Sequence, residues 1–303
     1  MKFALLTLTG LFLLACTRAP LEVSPDELVS AGGSRGAASA GGGAGGGAGG
    51  ASNPAAQNCT DHSSTQSQIT TDYGGTFVTV DGSSKQYYWQ ANWWGLFNQQ
   101  SETVDGLSFS VANPAGASSG SNNPMGYPSL FIGSYAGHST TGSNLPKQVS
   151  ALTKVYTVLS TNASSKGYSS YNAAYDVWLT ASGAPLPTYQ YDPGSGGAYL
   201  MVWLFKPTDR QPRGINSHPG QTVPGIPGTW DVWIDNTNPP CISYVSSKPL
   251  DELAFDLNNF IQDSVANSYG ITRSMYLSII FAGFEIWGGA DGIKAKAFCA
   301  NVP

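Results

Sequence analysis

Short runs rich in β-branched and aromatic residues recur through the C-terminal four-fifths of the chain, each bounded by clusters of Gly, Asn, Ser and Pro. The runs cover residues 76–80, 86–93, 107–111, 129–135, 174–179, 198–205, 229–234, 241–245, 276–286 and 293–302. Apolar runs of this length between turn residues predict strands, and many at this spacing predict an all-β sandwich or jelly roll. One segment has a different period. Leu253, Leu257, Phe260, Ile261 and Val265 recur at helical spacing, with Pro249 near the start and Gly270 beyond the end. Asp251 and Glu252 fall where a first turn would favour negative charge, so a helix is predicted there.

Alternation along a strand sorts its side chains onto two faces. In 198–205 one face carries Tyr199, Met201, Trp203 and Phe205, the other Ala198, Leu200, Val202 and Leu204. In 281–287 one face carries Phe281, Gly283, Glu285 and Trp287. In 174–179 one face carries Ala174, Asp176 and Trp178, the other Tyr175, Val177 and Leu179. The aliphatic faces read as the core between two sheets. The opposite faces mix Trp, Tyr and Met with a lone carboxyl. Each such carboxyl alone could merely serve a hydrogen-bond network at a sheet edge, but three strands repeat the mixture. Sugar rings present apolar C–H faces that stack on aromatics and hydroxyl rims that need sparse polar partners, so a concave carbohydrate cleft is expected.

The first residues suggest a destination. Lys2 precedes an apolar run, residues 3–14, too short for an ordinary membrane span and suited to a signal peptide. It ends Leu13-Leu14-Ala15-Cys16, which resembles the bacterial lipobox, whose Cys is lipid-modified. Residues 1–15 are therefore expected to be a lipoprotein signal peptide and Cys16 the lipidation site. Thr17 follows rather than Asp, which favours the outer membrane or cell surface. Residues 16–57, rich in Gly and Ala, lack side chains for a core and read as a tether, with a reach of roughly 35 Å. Residues 58–303 form the folded domain.

Composition narrows the function. Charged residues make up 11% of the 303 residues and the net charge is −5, with no basic cluster, so nucleic acid is not an expected partner. Three His and no Cys-x-x-Cys give little for a metal site, and no cofactor is expected. With Cys16 lipidated, Cys59, Cys241 and Cys299 would allow one intrachain disulfide at most, its pairing open.

Five segments carry a pattern together: Asn92-Trp93-Trp94-Gly95, Leu145-Pro146-Lys147-Gln148-Val149-Ser150, Ala174-Tyr175-Asp176-Val177-Trp178-Leu179, Leu200-Met201-Val202-Trp203-Leu204 and Ala282-Gly283-Phe284-Glu285-Ile286-Trp287. In these segments the chain resembles glycoside hydrolase family 12, the small jelly-roll endo-β-1,4-glucanases and xyloglucanases. The similarity spans nearly all of residues 59–302. It implies that Glu285 is the general acid/base and that Asp176 is the Asp that hydrogen-bonds the nucleophile. It also implies that Trp94 is a sugar platform, that Asn92 is a polar neighbour, and that Met201 and Trp203 follow the nucleophile on its strand. Trp287, on the Glu285 face, joins them as a substrate-binding candidate.

The nucleophile position is occupied by Tyr199 where the family carries Glu. Shifting the strand by one residue brings Ala198 there and turns every side chain over, so no register restores a carboxyl. The other Glu of the domain, Glu102 and Glu252, are expected in a polar loop and in the helix's first turn. A retaining glycosidase needs two carboxyls about 5–5.5 Å apart. The sequence therefore predicts a monomeric, lipid-anchored protein that recognises β-1,4-glucan with little conventional hydrolysis. One alternative is an enzyme of altered chemistry with Glu285 as acid and Asp176 as base. The other is a non-catalytic structural lipoprotein of the envelope.

Overall fold

The structure is a computed structural model that describes residues 17–18, 66–80, 83–94, 100–112, 123–166 and 170–303. The expected signal peptide and tether, with Cys16 and Cys59, lie outside them except for Thr17–Arg18, which pairs with Gln211–Pro212. The principal strands are β1 (Gln66–Ile69), β2 (Gly75–Thr79), β3 (Gln86–Gln90), β4 (Ser101–Asp105), β5 (Ser108–Ala112), β6 (Ser129–Tyr135), β7 (Tyr156–Thr161), β8 (Ala173–Thr180) and β9 (Ala198–Phe205). They continue with β10 (Ile215–Gln221), β11 (Trp230–Asp235), β12 (Cys241–Ser246), β13 (Glu252–Asp256), helix α1 (Leu257–Ala266), β14 (Tyr276–Gly283) and β15 (Lys294–Asn301).

Two sheets stack as a jelly-roll sandwich. The larger has the order β10-β11-β12-β9-β8-β14-β6-β3-β2, and the smaller β13-β7-β15-β5-β4-β1. All these pairings are antiparallel except β9 with β12. The aliphatic faces of β8, β9 and β14 are buried between the sheets, as the alternation predicts: Val177, Leu179, Leu200, Val202, Leu204 and Ile280 belong to one core with Phe109, Leu159, Phe255 and Phe298 of the smaller sheet. Aromatic edges lock the layers, with Tyr175 on Phe255 at 5.3 Å and Tyr87 on Phe298 at 5.8 Å. Burying a tyrosine requires a partner for its hydroxyl. Tyr87 donates to the Ala300 carbonyl and accepts from the Ala300 amide, both at 3.1 Å.

The helix begins later than its periodicity predicts. Leu253 and Phe255 alternate inward on β13, which pairs with β7, so Glu252 lies on a strand rather than in a first turn. Asp256 is the actual N-cap, its carboxylate accepting from the Asn258 amide at 3.0 Å. Asp251 serves the smaller sheet's rim instead, accepting from the Ser164 amide and hydroxyl. The four-residue spacing from Leu253 to Leu257 merges an inward strand position with the first inward helical position. Glu102 is likewise not in a polar loop. It lies on β4, fully buried, where the Trp93 indole N–H donates to it.

Cys241 and Cys299 are both disulfide-bonded. No helix among the described residues is long and apolar enough to cross a membrane.

Candidate active site

The larger sheet turns its second face away from the core, and strand register arranges that face in rows. One row runs Ile279, Trp178, Tyr199, Cys241, Asp235. The next runs Phe131, Phe281, Asp176, Met201, Ser243, Trp233. The third runs Ser129, Gly283, Ala174, Trp203, Val245, Asp231. The period-two alternation of β8, β9, β11, β12 and β14 brings these side chains to one side. Gly283 is required in its row: a Cβ there would come within 2.1 Å of the Pro128 carbonyl oxygen.

Glu285 follows at the end of this ladder. The long run predicted over 276–286 is broken after Gly283, and pairing resumes at Ile286–Gly288. The break has a cause in Asn172. Its side-chain oxygen takes the Glu285 amide at 2.9 Å, its own amide donates to the Glu285 carbonyl at 2.9 Å, and its Nδ2 donates to Glu285 Oε2. Asn172 and Glu285 are both buried, and Glu285 Oε1 has no hydrogen-bond partner. Phe284 and Ile286 point into the core while Trp287 joins the outer aromatic cluster, so the alternation survives the break.

Burial drives the protonation of these carboxyls. It raises Glu285 well above its usual range, Asp176 adds to the shift, and the Asn172 bond opposes it. Burial also raises Asp176 to about 7. The Trp178 indole opposes that shift, and the carboxyl is part-exposed although its Oδ1 is enclosed. A neutral carboxyl is the state a general acid needs.

Tyr199 lies one row from Asp176, on the side away from Glu285. It is 4% exposed and sits edge-on to Trp178 at 5.7 Å. Tyr135 packs edge-on to Trp178 at 5.3 Å and to Tyr191 at 5.9 Å. Burial, then Asp176 and Asp192, push the Tyr199 phenol well above its ordinary value, against a pull from Arg213.

The remaining candidates gather on the same face. Met201, Trp203 and Trp287 are buried in its aromatic cluster, and Trp94 packs against it. Trp203 and Trp287 lie 6.4 Å apart, with Arg210 5.8 Å over the Trp287 ring. Asn92 has φ +51°, in the left-handed region that Asn tolerates better than most residues. Its carbonyl accepts from the Tyr127 amide at 2.9 Å, fixing the bend that delivers Trp94. On this face the indole nitrogens of Trp94, Trp203 and Trp233 are enclosed without hydrogen-bond partners. Sequence reasoning misses Asn172, which lies just outside a strand and carries no periodic signal. It also misses Trp233, although the alternation of residues 229–234 puts Trp233 opposite Trp230 and Val232.

A family model described as glycosyl hydrolase family 12 matches residues 85–303. The chain belongs to this family. A protein named "Probable cellulase Cel12b" from Mycobacterium tuberculosis is 30% identical over 163 residues, covering 53% of this chain and 99% of that protein. Among solved structures, a metagenome-derived family 12 endoglucanase superposes with a TM-score of 0.68 at 28% identity, covering 80% of this chain and 99% of that one. Endoglucanase cel12A from Rhodothermus marinus gives 0.65 at 29%, covering 78% and 99%. A family 12 fold on this chain accounts for both the sandwich and the aromatic face opposite its core.

Proposed function

We propose that this family 12 protein recognises β-1,4-glucans of the cellulose or xyloglucan type and hydrolyses them poorly. The observation that carries this reading is the packing of Tyr199. The position where the family resemblance calls for a nucleophilic carboxyl holds a buried phenol whose ionisation is opposed by Asp176 and Asp192. A neutral phenol is a poor nucleophile, and at its ordinary pKa of about 10 only roughly a thousandth is ionised at pH 7. Glu285 keeps the character of a general acid, and the part-exposed rings of Trp94 and Trp233 supply the binding surface.

Reducing-end release from cellohexaose and xyloglucan tests this. Wild type is expected to bind with little release, Tyr199→Glu to raise release with retained anomeric configuration, and Tyr199→Glu with Glu285→Gln to lose it. Fast release by wild type that survives Tyr199→Phe refutes the reading. A second reading has support in Asp176, whose raised pKa and part exposure suit a base that activates water. It requires inversion of configuration and abolition by Asp176→Asn.

The lipobox-like segment supports placing the domain on the outer envelope through Cys16. Cys16→Ser is expected to release the protein from the membrane fraction, and unchanged membrane association sinks the anchor.

A further inference from the structure

Glu102 is a carboxyl on the wrong side of the sheet for substrate chemistry. It lies on β4, in the smaller sheet, and is fully buried. Its Oε1 takes the Trp93 indole N–H at 2.5 Å, while Oε2 is enclosed and unpartnered. A buried carboxyl with one neutral donor is costly to keep unless the contact organises something. Burial raises Glu102 to about 7, with the Trp93 bond pulling down and Asp72 pushing up, so the group is a neutral acid under mildly acidic conditions. Asp72 is itself tied down, taking Gln100 Nε2 at 2.5 Å.

Trp93 stands between two parts of the candidate site. Its neighbours in sequence are Asn92 and Trp94. Across from it lies Gly126, which bridges Trp93 on one side and Ile286 on the other. The Trp93 ring covers Gly126 so closely that a Cβ there would fall 2.2 Å from the ring. Around this crossing the Trp94 amide donates to Met125 at 2.9 Å, the Met125 amide to Ile286 at 2.6 Å and the Ile286 amide to Gly126 at 3.1 Å. Ile286 is the residue after Glu285.

We propose that Glu102 is a positioning residue of the glucan site: by holding the Trp93 indole over Gly126, it clamps the bend that carries Asn92 and Trp94 to the segment that carries Glu285. Glu102 touches no ligand. It fixes the indole's rotation, the indole fixes the approach of Gly126, and Gly126 sets the spacing between platform and acid. Only the consequence for glucan rests on the functional reading above; the clamp itself is a claim about the fold.

The test compares wild type with Glu102→Gln, which keeps an acceptor for the indole, Glu102→Leu, which removes it, and Trp93→Phe, which keeps a ring but removes the donor. Amide exchange is followed by NMR at Trp94 and Ile286, with Val232 and Ile242 as distant controls, and cellohexaose affinity is measured by calorimetry at pH 5.5. Glu102→Leu and Trp93→Phe are expected to speed exchange at Trp94 and Ile286 about tenfold, the scale of one lost buried hydrogen bond. The controls stay unchanged, and Glu102→Gln stays within about twofold of wild type. Cellohexaose affinity should fall about tenfold in Glu102→Leu and Trp93→Phe and hold in Glu102→Gln. Wild-type exchange at Trp94 and Ile286 in a folded Glu102→Leu or Trp93→Phe protein overturns the clamp, whatever the binding result. Should Glu102→Leu fail to fold, Trp93→Phe against Glu102→Gln decides. If exchange responds as stated but wild type does not bind cellohexaose, the clamp stands and the glucan reading falls.

Discussion

The two ends of the candidate face are built from different materials. Around Glu285 the polar groups face one another: Asn172 holds the main chain on both sides and one carboxyl oxygen, leaving the other oxygen enclosed and unspent. Around Tyr199 the same face is packed as a small aromatic core: Tyr199 is edge-on to Trp178, and Tyr135 is edge-on to Trp178, Tyr191 and Phe281. Asp176 lies between the two and raises the pKa of a group at each end. On the function proposed above, the acid and the binding surface stay organised while the position for a nucleophile serves packing. Edge-to-face rings at 5–6 Å stabilise one another beyond their buried area, so aromatic packing holds Tyr199 in its own right.

The largest expected effect breaks this comparison from the packed end. Truncating a buried aromatic removes transfer energy and leaves a cavity, together about 3–5 kcal/mol. Tyr199→Ala should lose about that much in urea denaturation, a large share of a typical domain's stability. A loss under about 1 kcal/mol would mean that Tyr199 is a loosely held cleft residue and that the two ends are not differently built.

A second effect sharpens the comparison through pH. Glu102 and Asp176 are each raised to about 7, and Glu285 is raised well above its usual range. In the unfolded chain such groups titrate near 4. Groups whose folded pKa is raised contribute stability that is fully present below the unfolded pKa and is lost as pH rises through the folded one. Stability should therefore fall from about pH 4 upward through pH 7, opposite to a protein held by paired carboxylates, by up to roughly 4 kcal/mol for each of Glu102 and Asp176. Glu102→Gln and Asp176→Asn should each flatten part of the slope. Thermal melts across this range check it, and stability that climbs from about pH 5 to 8 would reject the neutral-carboxyl picture.

Much of this face is legible in the amino-acid sequence alone. Period-two alternation in β8 and β9 places Asp176, Trp178, Tyr199, Met201 and Trp203 together, because a buried opposite face leaves a strand one register. The features that escape are those without a period. Asn172 acts through its side chain from outside a strand, so nothing local marks it. Glu102 reads as a loop residue because β4, Ser-Glu-Thr-Val-Asp, is polar by composition. Only its pairing with β1 and β5, and the indole waiting for it, make burial tolerable. The start of α1 is legible only approximately, because one apolar spacing serves two elements in succession.

The smallest expected effect is the most discriminating. In Tyr199 the contact with Trp178 is made by the ring, at 5.7 Å and 86°. Phe keeps that ring and its edge-on geometry, so Tyr199→Phe should change stability by less than about 0.5 kcal/mol, the range of substitutions that touch no special feature. It should also leave cellohexaose affinity and any residual hydrolysis where they were, since the phenol is held neutral by burial and by the acids beside it. A phenolate acting as nucleophile predicts the reverse: unchanged stability but abolished turnover, as bond formation would need that oxygen. Melting temperature measured beside reducing-end release separates the two. Loss of turnover in a fully stable Tyr199→Phe protein would place chemistry at the end described here as packed, and would make the aromatic cluster around Tyr199 a device for tuning a nucleophile rather than a replacement for one.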